Sequence, residues 1–269
     1  CVLHHPHFLR VNMKIVGVTK VRNEAHILKA TLDSWATACT GGIFVYCDAC
    51  DDRGATASIA KTHPAVREVI TSTLMDPDRE RAEWWTRQLI LRSALRFCQE
   101  KDWIVYFDGD EILEEFDPAS LQDCEMVALE SYDTYITPED RDVSHWNFSQ
   151  REWVSQEFQF SPYFYSCRIP LDFYKPDQRN IDLPPGSRYK LAGKVRHWGK
   201  GLSVALWEKK CQYYSQTFGP KYAEKWQSRI GQAVKEDYKS DFGLPLVKWT
   251  DVKAGTVPKV CRNGMPLIR

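Results

Sequence analysis

Long apolar runs are missing from this chain: no stretch of its 269 residues approaches the roughly 20 that a spanning helix needs. The opening CVLHHPHFLRVN also lacks the charged-then-apolar order of a secretory signal. No transmembrane segment is expected, and the expected location is cytoplasmic. An excess of one charge is missing too. Lys and Arg total 36 and Asp and Glu total 36, so the formal charge is zero and nucleic acid is not an expected partner. Regular cysteine framing is absent: nine cysteines, an odd number, are scattered from Cys1 to Cys261. Cys47-Asp48-Ala49-Cys50 is a C-x-x-C without the second pair that a zinc site of this type needs. A G-x-x-x-x-G-K-[ST] phosphate loop is absent as well, which disfavours kinase and ATPase chemistry.

What is present is an alternation of short apolar strands and helical stretches. Lys14–Thr19 reads as a strand, followed by a helix over about 24–38 with Ile27, Leu28 and Leu32 on one face. Ile43–Cys47 reads as a second buried strand and Arg67–Thr71 as a third, with a short helix near Ala55–Lys61 between them. A long amphipathic helix over 78–100 precedes a fourth strand, Trp103–Phe107. This order predicts an α/β fold, a mostly parallel central sheet flanked by helices and Rossmann-like in logic. The second half is less regular. Strands are expected near 125–132 and 189–198, a Pro-rich loop over 168–185, and helices over 204–214 and 221–238. Residues 1–12 are expected to form an extension in which His4, His5 and His7 could meet a metal. Residues 13–200 are the expected catalytic domain, its nucleotide-binding half about 13–111 and its acceptor-side half about 112–200, and 201–269 the C-terminal helices and tail.

In parallel sheets ligands bind beyond the carboxyl ends of the strands, and the polar punctuation of this chain falls there. Thr19 to Glu24 follows strand one, Asp48 to Asp52 follows strand two, and Asp108-Gly109-Asp110-Glu111 follows strand four. Two carboxylates separated by a glycine suit a hard divalent cation, Mn²⁺ or Mg²⁺, shared with a phosphate-bearing ligand. The competing reading is a turn whose acids cap the next element.

From about Lys14 to Gly199 the chain resembles the GT-A fold glycosyltransferases, specifically family 2-like enzymes. The resemblance rests on four blocks in order: Val18–Ala25, Tyr46–Asp52, Trp103–Glu111, and Arg196-His197-Trp198-Gly199. It implies a metal-dependent, inverting transfer of a sugar from a nucleoside-diphosphate sugar (UDP-, GDP- or TDP-linked) to a hydroxyl of a glycan or other acceptor. Val18, Thr19, Arg22 and Glu24 would line the nucleotide pocket, and Asp48 would accept from the nucleobase edge. Asp108 and Gly109 would approach the ribose and metal, Asp110 would ligate the metal, and His197 would complete metal or diphosphate binding. Arg79 and Arg81 would contact the diphosphate.

An acceptor hydroxyl needs a base within hydrogen-bond reach. Asp140 ranks first, then Asp133, with Glu139 beside them; Asp172 and Asp177 are further acids of the right kind. The aromatic stretch from Trp146 through Trp153 and Phe160 to Tyr165 is either an acceptor wall or packing of the second half. The alternatives to a transferase are a sugar nucleotidyltransferase and a non-catalytic nucleotide- or glycan-binding module. The first normally carries a Gly-rich loop after strand one, whereas Val18–Ala25 contains no glycine.

Overall fold

The computed structural model describes residues 13–173 and 180–257; His4, His5, His7 and Asp177 lie outside the described residues. The first half alternates as predicted: β1 (Ile15–Val21), α1 (Leu28–Ala36), β2 (Ile43–Asp48), α2 (Ala55–Thr62), β3 (Val66–Ser72), α3 (Arg79–Leu95) and β4 (Trp103–Asp108). Strands β3, β2, β1 and β4 lie side by side and run parallel. Helices cover both faces, because successive residues of each buried strand point to opposite sides. Ile15 and Val21 pack with Leu28, Leu32 and Trp35 of α1. Val16 and Val18 pack with Ile90, Leu91 and Ala94 of α3.

Two helices are shorter than the periodicity suggests. The 24–38 helix begins only at Leu28, because Asn23 takes a left-handed φ of 56° and the chain turns there. The 78–100 helix ends at Leu95; its start is fixed by Asp78, whose side chain accepts from the Arg81 N–H at 3.0 Å.

The second half is β5 (Glu111–Glu115), β6 (Met126–Thr134), β7 (Trp153–Ser166) and β8 (Tyr189–His197), then α4 (Val204–Thr217), α5 (Pro220–Gln227), β9 (Val247–Lys248) and α6 (Trp249–Ala254). The sheet continues past β4 as β7-β6-β8-β5, with β9 on β7. Direction changes here: β7 runs antiparallel to β4 and β6, and β8 runs parallel to β6 but antiparallel to β5. The helical pattern over 221–238 stops at Gln227, and Gly231 turns the chain at a φ of 78°. No helix among the described residues is long and apolar enough to cross a membrane.

Candidate functional site

The carboxyl ends of β1, β2 and β4 meet at one edge. Lys20 lies opposite Tyr46 on one side and Asp108 on the other, so the polar turns after all three strands are neighbours. Helix α1 pins the turn between β4 and β5. Thr31 Oγ1 donates to the Gly109 carbonyl at 2.8 Å, and the Trp35 indole donates to the Glu111 carbonyl at 2.8 Å. Glu111 closes the turn from inside, accepting from the Asp108 N–H and from the Tyr163 hydroxyl, both at 2.8 Å. A side chain at position 109 would run into Val21 Cγ1 at 2.7 Å and Glu24 Cγ at 3.2 Å, so glycine there lets β1 and the turn approach.

The register of β8 supplies the next group. His197 lies opposite Glu111 of β5 and opposite Asp133 of β6. Its ring therefore bridges two acids, Nδ1 to Asp133 and Nε2 to Asp110 at 3.3 Å. Asp133 also meets the Lys200 ammonium at 3.2 Å. Helix α4 brings Lys210 over the same spot. The spacing of Leu206, Lys210 and Tyr213 puts them on one face. Leu206 packs beside Trp198 and Lys210 Nζ donates to Asp110 Oδ2 at 3.1 Å. The Tyr213 hydroxyl accepts from Arg22 at 2.7 Å. Gly199 fits under this arrangement because a Cβ there would meet Lys210 Nζ, Asp110 Oδ2 at 2.6 Å and His197 Nε2 at 2.7 Å.

Charge follows from these contacts. Burial alone would raise Asp110, but Lys210 and His197 overcome it and hold the carboxyl well below the usual range. Burial would lower His197, yet Asp110 and Asp133 raise it well above the ordinary histidine value, favouring the imidazolium form. Glu24, by contrast, is pushed up to about 8 by burial and by the Asp110 charge. His26 beside it is pushed down to about 4 by burial and the neighbouring His145.

A second cluster lies on the α3 side of the same edge. Burial would raise Asp48, but Lys20 at 3.1 Å and Arg79 hold it below the usual value. Glu83 joins Lys20, Arg79 at 3.7 Å and Arg87 at 3.1 Å. Arg79 is buried, and its Nε and Nη1 find no hydrogen-bond partner among the described residues.

Several expected site residues stand elsewhere or are otherwise engaged. Val18 and Thr19 are fully buried within β1 with strands on both sides, and Lys20 after them is paired with Asp48 and Glu83. Arg79 is committed to Asp48 rather than open to a diphosphate, and Arg81 is exposed and paired with Asp76 at 3.0 Å. Asp140 accepts from the Thr137 N–H at 2.7 Å and pairs with the fully buried Arg151 at 3.2 Å, the signature of a turn anchor. Glu139 accepts from Trp153 at 3.3 Å and Tyr238 at 3.0 Å. Asp172 is exposed and accepts from Gln88. Of the three acids expected as a base, Asp133 alone shares a partner with Asp110. In the aromatic stretch, Tyr163, Phe164 and Tyr165 are core and Phe148 packs on Trp198, whereas Trp146 is exposed. Lys200 and Lys210 join the cluster without having been expected there, and Lys20 and Gly199, which fall within the matched blocks, were given no role.

The donor set as it stands does not fit a divalent metal. Both oxygens of Asp110 are covered by cations, and both nitrogens of His197 face carboxylates. Among the described residues no group of three or more His, Cys, Asp or Glu is disposed to hold a metal ion. Two unit charges about 4 Å apart interact by about 4 kcal/mol at an effective dielectric of 20, and a divalent ion doubles that. A metal at Asp110 would meet that repulsion from the Lys210 ammonium.

No family model and no curated protein matches the chain. Among solved structures, it is similar to residues 1–349 of TarS from S. aureus, crystallised with UDP: 10% identity, TM-score 0.41, spanning 81% of this chain and 71% of that one. HddC from Yersinia pseudotuberculosis is similar at 11% identity and TM-score 0.38, over 75% of this chain and all of that one. The galactosyltransferase LgtC, solved with donor and acceptor sugar analogues, is similar at 11% identity and TM-score 0.29, over 57% and 58% of the two chains.

Proposed function

We propose that the protein is a glycosyltransferase that moves a sugar from a nucleoside-diphosphate sugar to a hydroxyl acceptor, with inversion. The observation that carries this reading is the meeting of three strand ends at one edge, where Asp110, two residues after Asp108, is paired with both His197 and Lys210. Breaking the bond from the anomeric carbon to a diphosphate leaves a strongly charged group, and fixed positive groups stabilise that charge as it develops. Asp133 is the acid assigned to the acceptor proton, because it shares His197 with Asp110. In an inverting transfer that acid and the departing diphosphate lie on opposite faces of the sugar.

A second reading, a nucleotide-binding module without turnover, draws on the ion pairing of Asp48 and Asp110. Turnover of a panel of UDP-, GDP- and TDP-sugars, with Mn²⁺ and with EDTA, separates the two. The transferase reading expects release of nucleoside diphosphate by the native chain, reduced at least 100-fold in Asp110→Asn. Binding of a donor with no turnover under any condition leaves the module; no binding at all removes both.

A further inference from the structure

The exposure of the charged groups around Asp110 is inverted relative to a metal-binding carboxylate. The Asp110 side chain is only 7% exposed, whereas Lys210 and His197, which cover its two oxygens, are 26% and 25% exposed. A ligand entering from solvent therefore meets the Lys210 and His197 side chains before the carboxylate they cover. An ammonium has three donors. Lys210 directs one to Asp110 Oδ2 at 3.1 Å and lies 3.5 Å from the Gly199 carbonyl, the upper limit of a hydrogen bond, so donor capacity remains for an incoming oxygen. The position is built rather than incidental. Residue 199 lacks the Cβ that would collide with Lys210, and one helical turn beyond Lys210 Tyr213 is fastened to Arg22, whose guanidinium lies 4.3 Å from the Tyr213 ring centre. Helix α4 is in turn held by Trp207 and Tyr214 against Trp226 of α5.

We infer that Lys210 of α4 takes the role of the divalent cation, so that the diphosphate of the donor is bound directly by its ammonium without a metal, while His197, whose two ring nitrogens are held by Asp133 and Asp110, fixes the carboxylate behind it. Asp110 then orients Lys210 instead of ligating an ion. This inference rests on the proposed transferase reading for its ligand, a nucleoside diphosphate. It goes beyond that reading by making helix α4 an obligatory part of the donor site.

Calorimetric titration of the full chain with UDP, GDP and TDP, each in EDTA and in Mn²⁺, tests it. The expected result is that whichever nucleotide binds does so in EDTA within threefold of its affinity in Mn²⁺. Lys210→Met should weaken that affinity at least tenfold in both buffers, and Lys210→Arg should retain it within threefold. Binding that appears only with Mn²⁺ overturns the inference and leaves the transferase reading intact, as does Lys210→Met binding as tightly as the native chain. Because the EDTA comparison uses the unaltered protein, the inference stays exposed to failure even if Lys210→Met does not fold. If none of the three nucleotides binds in either buffer, the transferase reading fails and the inference falls with it.

Discussion

At the scale of single residues, Glu24 and Asp110 are two acids in one site whose environments push them apart. Glu24 takes up a proton on folding, since its value rises from 4.5 to about 8, so it withdraws stability as pH climbs between those limits. Glu24→Gln should unfold at the same denaturant midpoint as the native chain at pH 4 or below. At pH 8.5 it should be more stable by about 4 kcal/mol, measured by urea titration. Equal differences at both pH values would contradict the assignment. The His197 pairs have a different window. Asp110, held low, contributes above its ordinary value of 3.8 and loses that contribution as pH falls below it. His197, held high, contributes fully below 6.5 and loses that contribution as pH rises through its elevated folded value. The stability gap between native and His197→Gln should therefore be widest between about pH 4 and pH 6.5 and narrow on either side. Asp140 provides a contrast. Removing it leaves the fully buried Arg151 guanidinium without its carboxylate, so Asp140→Ala should cost about 3 kcal/mol of stability. Any fall in turnover in that variant should track the fraction unfolded. A large loss of turnover at unchanged melting temperature would instead restore Asp140 as a base.

At the scale of elements, the parallel half was legible because each strand is a short, doubly buried apolar run ended by polar residues. Ile43–Cys47 and Trp103–Phe107 needed no partner to be recognised. Strand β7 was not legible, because its pairing with β6 shifts register at three points and each shift breaks the alternation of faces. Strand β5 was hidden because Glu111–Glu115 is acidic; its pairing with β8 makes it a strand, through ion pairs such as Lys194–Glu115 at 2.5 Å. The same contrast holds for the site. Asp110 and His197 were legible as acids and a histidine at strand ends, whereas Lys210 is one lysine on an amphipathic helix and gains meaning only from the docking of α4. The placement of the Lys210 ammonium uses the space above Gly199. Gly199→Ala should displace Lys210 and His197 from Asp110, lowering stability by about 2 kcal/mol by overpacking and weakening nucleotide affinity more than tenfold. A variant with native melting temperature and native affinity would show that α4 is not fixed at this point.

At the scale of the whole molecule, two halves of different pairing direction join at β4, and the candidate site lies at that join. The parallel half contributes Lys20, Asp48 and the Asp108–Asp110 turn; the mixed half contributes Asp133 and His197; the C-terminal helices close the space with Lys210. The account's central claim is that a nucleotide sugar is held where these three contributions meet. Hydrogen–deuterium exchange of the full chain, with and without a saturating nucleoside-diphosphate sugar, tests it most directly. The account expects slowed exchange in three separate stretches at once: 108–111, 197–200 and 206–214. Protection confined to other surfaces, or affecting the 108–111 turn while leaving 206–214 unchanged, would contradict it.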